Sequence, residues 1–164
     1  MSAPIPVISD TGPLSYLYKL GRLELLRQLY GRVVVPPAVV TELGVGHRLG
    51  KDLPDVAKYE WIELRAPPAD ALKAIEGLGA GETEGIALAR ELPGALLILD
   101  DAEARRVAQG FGLRVTGTVG VLVLAKDRRL IGEVAPELDR LSTFGFRLAP
   151  PVRMAALLRA GEID

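Results

Sequence analysis

Two aspartates stand at the ends of short apolar runs: Asp10 after Val7-Ile8-Ser9 and Asp100 after Ala95-Leu96-Leu97-Ile98-Leu99. If both runs are strands of one parallel sheet, both carboxylates emerge on the same edge of that sheet. Helix capping or turn formation explains either aspartate alone; the two together are harder to dismiss. Glu42 lies late in a helical stretch, where a lone glutamate is ordinarily a solvated surface residue. Glu82 and Glu84 open another helical stretch, where the positive end of the helix favours acids whatever their role. Positions two apart on a helix diverge by roughly 200°, so only one of these two faces a given cleft while the helix is regular. Glu82 shares an arc with Ile86 and Ala89, and Glu84 lies nearer Glu91. The wheel leans toward Glu82, and an irregular first turn would admit Glu84.

Carboxylates gathered without cationic partners repel one another, a cost that a divalent cation neutralises. The chain has no cysteine and one histidine, His47, so thiolate sites, histidine-cluster zinc sites and a cysteine nucleophile are excluded. Oxygen ligands alone select hard ions, Mg²⁺ or Mn²⁺. Such an ion activates water and stabilises the charge that develops in a phosphodiester transition state, with no covalent nucleophile required. His47 falls in a stretch that reads as a loop, 45–48, and is expected to be solvated rather than catalytic. The absence of cysteine points to a reducing, cytoplasmic setting. Residues 1–10 lack the basic flank and long apolar run of a secretory signal, and no segment reaches the roughly 18 uncharged apolar residues of a membrane span. A net charge of −1 neither announces nor excludes a nucleic-acid partner.

The elements that must position these acids follow from the apolar patterning. At 164 residues, with 49% hydrophobic and 25% charged side chains, the chain has the size and composition of one ordinary globular domain spanning 1–164. Strand, turn and helix succeed one another around Asp10-Thr11-Gly12-Pro13; Leu14, Leu17, Leu20 and Leu23 carry the helical spacing, broken at Gly21. A β-branched run at 32–35 is stopped by Pro36-Pro37, and a helix over 38–43 follows. From 44 to 68 the pattern is weak, with a short helix around Val56 and a brief strand at 61–64. Residues 69–78 read as helix, 82–92 as a second helix, and 95–99 as a strand covered on both faces. A helix at 102–111, a strand at 113–116 and an apolar helix at 118–125 complete the alternation. The tail over 133–164 reads as one or two helices separated at Phe144-Gly145-Phe146. Strands alternating with helices, with continuous apolar runs, specify an α/β domain around a mainly parallel sheet.

The motifs resemble a known family. Val7-Ile8-Ser9-Asp10-Thr11-Gly12-Pro13-Leu14 and Val35-Pro36-Pro37-Ala38-Val39-Val40-Thr41-Glu42 look like the opening of a PIN domain. Gly81-Glu82-Thr83-Glu84-Gly85-Ile86-Ala87-Leu88-Ala89 is similar to a "GEAEAIALA" segment of a prokaryotic PIN-like subfamily, and Leu97-Ile98-Leu99-Asp100-Asp101 with Thr116-Gly117-Thr118-Val119-Gly120 completes the signature. The resemblance spans roughly residues 5–145; each motif is weak singly and their joint order is fairly specific. It implies a three-layer α/β/α sandwich with a C-terminal helical extension over 133–164, and an acidic Mg²⁺ or Mn²⁺ site that cleaves single-stranded RNA. Relatives of the VapC kind are often the toxin half of a toxin-antitoxin pair, so an antitoxin protein and a homodimer are implied partners. Carried over, Asp10, Glu42 and Asp100 take metal-ligand positions, and Glu82 or Glu84 completes the shell where many relatives have aspartate. Asp101 either supports a bound water or caps the next helix, the cap being favoured, and Thr11 and Thr118 are expected to hydrogen-bond the acids or a phosphate. Arg105, Arg106, Lys126, Arg128 and Arg129 are candidates to guide RNA; solvated helix faces explain them equally well.

Two other readings compete. The same fold can bind RNA or protein without cutting, since fold alone is a weak warrant for function. A nucleotide-binding or response-regulator-like domain would use Asp10, Asp100 and Asp101 as an acidic pocket, but Gly77-Leu78-Gly79-Ala80-Gly81 does not follow a convincing strand as a phosphate loop would.

Overall fold

A computed structural model describes residues 4–164 of the chain. Five strands, β1 (Val7–Ser9), β2 (Val33–Val35), β3 (Ile62–Leu64), β4 (Leu96–Ile98) and β5 (Arg114–Thr116), form one sheet in the order β3-β2-β1-β4-β5. Every pairing is parallel, with Val7 opposite Leu96, Ile8 opposite Leu97 and Ser9 opposite Ile98 at the centre. Successive strand residues point to opposite faces. Val7, Val33, Val35, Leu96 and Ile98 therefore meet one helical layer, and Ile8, Val34, Leu97 and Leu99 meet the other. This is why β4 needs an unbroken apolar run: both its faces are covered.

The first layer holds α1 (Thr11–Lys19), α2 (Glu24–Tyr30), α3 (Pro37–Arg48), α6 (Thr118–Asp127), α7 (Ala135–Thr143) and α8 (Pro150–Arg159), which contribute Leu14, Leu26, Val39, Leu122, Leu138 and Leu157 to its core. The second holds α4 (Ala80–Glu91) and α5 (Ala102–Gly110), through Ile86, Leu88, Ala104 and Ala108. The result is the expected three-layer α/β/α sandwich, its sheet wholly parallel. Gly21, at φ 72°, turns the chain between α1 and α2, a left-handed conformation that side chains resist.

The tail forms two helices, and both pack into the first core layer through Leu138, Leu141, Ala156 and Leu157. Glu137, only 5% exposed, ties α7 to the α1–α2 turn: Arg22 donates to its Oε1 from Nε at 3.0 Å and from Nη2 at 2.7 Å. Three boundaries differ from the sequence reading. The helix after Pro36 runs on through Arg48, so His47 lies in its last turn rather than in a loop. Residues 69–78 form only a short 3₁₀ helix, Ala69–Ala74, after which Ile75 is extended and Gly77 takes φ 79°. The helix expected to start at Glu82 starts at Ala80, which places Gly81 and Glu82 in its first turn. No helix among the described residues is long and apolar enough to cross a membrane.

Candidate active site

The chain proceeds from β1 outward to β2 and β3, then returns to the other side of β1 for β4 and β5. The connections thus diverge between β1 and β4, leaving a crevice beyond their carboxyl ends. Asp10 follows β1 and Asp100 stands two residues beyond β4, so the register puts both at that crevice. Asp10 is held there by the ladder, its amide donating to the Ile98 carbonyl at 3.0 Å. Asp100 is held by α6: the Thr118 amide donates to its Oδ1 at 2.7 Å and the Thr118 hydroxyl to its Oδ2 at 2.6 Å.

Glu42 and Glu82 approach from two helices. The Glu42 carboxylate accepts from the Thr11 hydroxyl and, at 3.0 Å, from the Gly81 amide, so α3 reaches both the start of α1 and the start of α4. A Cβ at residue 81 would lie 2.8 Å from both Glu42 carboxylate oxygens; glycine is what lets the two helices share this contact. Gly117 does the same for the other side, where a Cβ would lie 2.6 Å from Asp100 Oδ1 and 2.9 Å from Arg105 Nη1. Glu82 closes its own helix start, accepting from the Gly79 amide at 3.3 Å. Glu84 points elsewhere: it accepts from the Ala38 amide at 3.1 Å and so supplies an acceptor at the N-terminus of α3. Asp101 caps α5, accepting from the Ala104 amide at 2.9 Å.

The electrostatics single out Asp10. It is 9% exposed, and its pKa is pushed up to about 7 by burial first, with the neighbouring Thr11 amide pulling down and Glu82, Glu42 and Asp100 pushing up again. No basic side chain figures among its influences. Asp100 is raised by burial against the two Thr118 hydrogen bonds and the nearby Arg105. Burial also raises Glu82, helped by Asp101 and Glu42 and opposed by the Gly79 amide. Glu42, Glu82 and Asp100 thus all act on Asp10, and the four acids offer an all-oxygen donor set of the kind suited to a hard divalent cation. As the side chains stand, no three acidic or histidine groups among the described residues converge on one ion position. The hydrogen bonds explain this spacing, since Thr11 and Gly81 hold Glu42 while Thr118 holds Asp100.

The basic residues divide. Arg105 and Arg106 lie on α5 beside Asp100, with Arg105 donating to the Leu99 carbonyl at 3.0 Å. Lys126, Arg128 and Arg129 lie at the far end of α6, about 12–16 Å of helix from Thr118. Lys126 is engaged by Glu162 at 2.9 Å and Glu133 at 3.5 Å. The sequence reading missed the glycines at 81 and 117, whose signal was only their place inside the motifs.

Among family models, that of the PIN domain matches residues 6–162 of the chain. No curated protein matches it.

Proposed function

Because the chain belongs to the PIN-domain family, whose members are generally nucleases, we propose that it is a Mg²⁺- or Mn²⁺-dependent endoribonuclease that hydrolyses phosphodiester bonds in single-stranded RNA. The observation that carries this reading is Asp10, a buried acid crowded by Glu82, Glu42 and Asp100 with no basic side chain among the groups that act on it. A divalent cation bound there would supply a Lewis acid and a positive charge beside the scissile phosphate. Asp10, Asp100, Glu42 and Glu82 are the residues that would hold it. Thr118 fixes the orientation of Asp100, and the Thr11 hydroxyl and Gly81 amide fix that of Glu42. Glu84 acts through α3 instead of through the ion, and Asp101 through the start of α5. By likeness to the VapC kind, a role as a toxin paired with an antitoxin, and a homodimeric state, belong to the same proposal.

The spacing of the four acids favours one alternative, a PIN-like module that binds RNA or protein without cutting. Incubation of the purified protein with labelled single-stranded RNA in Mn²⁺, Mg²⁺ or EDTA separates the two. The nuclease reading expects cleavage in either metal, none in EDTA, and loss of at least a hundredfold in folded Asp10→Asn and Asp100→Asn. Absence of cleavage in every condition, or equal cleavage by the variants, leaves the binding module.

A further inference from the structure

A groove of about 650 Å³ opens beside Asp100 and runs between α5, the start of α6 and the segment leading into α8. Its lining carries four arginines, Arg105, Arg106, Arg147 and Arg159, and a single acid, Asp100 itself. Arg106 pairs with Glu103, while Arg147 and Arg159 are exposed and make no ion pair among the described residues. The lining also has an apolar part, with Val119, Val123 and Phe146, the last packed edge-on against Tyr16. A second recess, of about 800 Å³, shares Val115, Thr116, Gly120 and Arg159 with the first and adds Arg114 and Arg128. The shared residues join the two recesses into one arginine-bearing strip that starts at Asp100, passes over the edge strand β5 and ends toward the amino ends of β4 and β1, where Leu96 and Val7 line it.

We propose that this strip is the path of the single-stranded RNA, with Arg147 and Arg159 binding its phosphates and the apolar lining receiving its bases. The substrate identity rests on the nuclease reading above; the path rests on the groove. A polyanion is the occupant that the unpaired Arg147 and Arg159, facing Arg105 and Arg106 of α5 across the groove, select, and unstacked bases are what apolar lining residues accommodate. The strip starts where a phosphodiester would have to be cut. It also accounts for Arg147 in a connecting segment and for Arg159 at the last turn of a helix that contributes nothing to the acidic group.

The test is the affinity of the whole chain for fluorescently labelled oligouridine in EDTA, measured across a salt series. Arg147→Ala/Arg159→Ala should bind about tenfold more weakly, and its log–log salt slope should be shallower by about 1.4, the sum for two single-strand phosphate contacts. Lys58→Ala, before the opposite edge strand, should match the parent chain. Parent-like binding by the double variant, or no RNA binding by the parent chain, overturns the proposal. A change of oligomeric state in the double variant, with RNA affinity intact, would make the groove an interface between copies and overturn it likewise. Failure of the path and failure of the nuclease reading remain distinct. Mn²⁺-dependent cleavage with an unchanged KM in the double variant removes the path alone, and weakened binding without cleavage by any protein removes the catalysis alone.

Discussion

The Glu42 carboxylate reaches the crevice because residue 81 has no side chain: its two oxygens occupy the space a Cβ would need. The carboxylate is the far end of a flexible side chain, so Gly81→Ala can be accommodated by swinging it away at little cost in stability. The expected result is RNA cleavage reduced at least tenfold with a melting temperature no more than a few degrees from the parent's, since alanine is favoured over glycine in a helix by up to about 1 kcal/mol, which offsets the displaced contact. Cleavage at the parent rate would show that Glu42 is not needed near Gly81. Asp10 and Asp100 were legible in the sequence because each ends an apolar run that could only be a covered strand, and parallel strands put such ends on one edge. Glu42 was not legible from its own surroundings; a glutamate late in a helix has no distinguishing local mark, and only its place in the motif order pointed to it. The helix wheel leaned toward Glu82 and left Glu84 open; in the structure Glu82 acts on Asp10 and Glu84 accepts from the Ala38 amide of α3.

Among elements, α3 and α4 carry the two glutamates, and their mutual alignment depends on Glu84 as well as on the Glu42–Gly81 contact. Removing the acceptor in Glu84→Ala leaves the Ala38 amide without its partner, with an expected loss of about 1 kcal/mol in denaturant unfolding. Glu84→Gln keeps an acceptor and should recover most of that loss; equal destabilisation by both would assign the effect to charge instead of to the hydrogen bond. The extent of α3 was misread from Gly44 and Gly46, which look like helix breakers. Tertiary packing overrides that propensity: Gly46 is buried, and a Cβ there would lie 2.3 Å from Leu53 Cδ1, so the absent side chain makes room for the returning loop. The Ala69–Ala74 segment erred the other way: its composition is helical, yet it winds only as 3₁₀ helix and Ile75 is already extended.

Across the molecule, the C-terminal segment is fastened by Glu162. Its Oε2 accepts from Lys126 Nζ at 2.9 Å and from the Val134 amide at 2.7 Å, and its Oε1 from the Ala135 amide at 2.9 Å, linking the chain end to α6 and to the start of α7. Burial alone would raise this carboxyl; the two amides and Lys126 overcome it and hold the pKa down at about 2. A folded-state value below the ordinary 4.5 means stability present above pH 4.5 and lost as pH falls toward 2. Glu162→Gln should therefore melt below the parent at pH 7, with the gap closing between about pH 4.5 and 2; a gap independent of pH would show that the ionised form contributes nothing. The same fastening keeps α8, and with it Arg159, beside β5, which ties the proposed RNA path to the tail. Little of this was legible in the sequence, where Arg147, Arg159 and Glu162 are isolated charges whose partners lie far along the chain. The central claim concerns the acidic group at the crevice between β1 and β4, and Mn²⁺ titration by calorimetry tests it most directly. The parent chain should bind Mn²⁺, and folded Asp10→Asn and Asp100→Asn should each bind at least tenfold more weakly. No Mn²⁺ binding by the parent, or equal affinity in all three proteins, would contradict the assignment of this group as a metal centre.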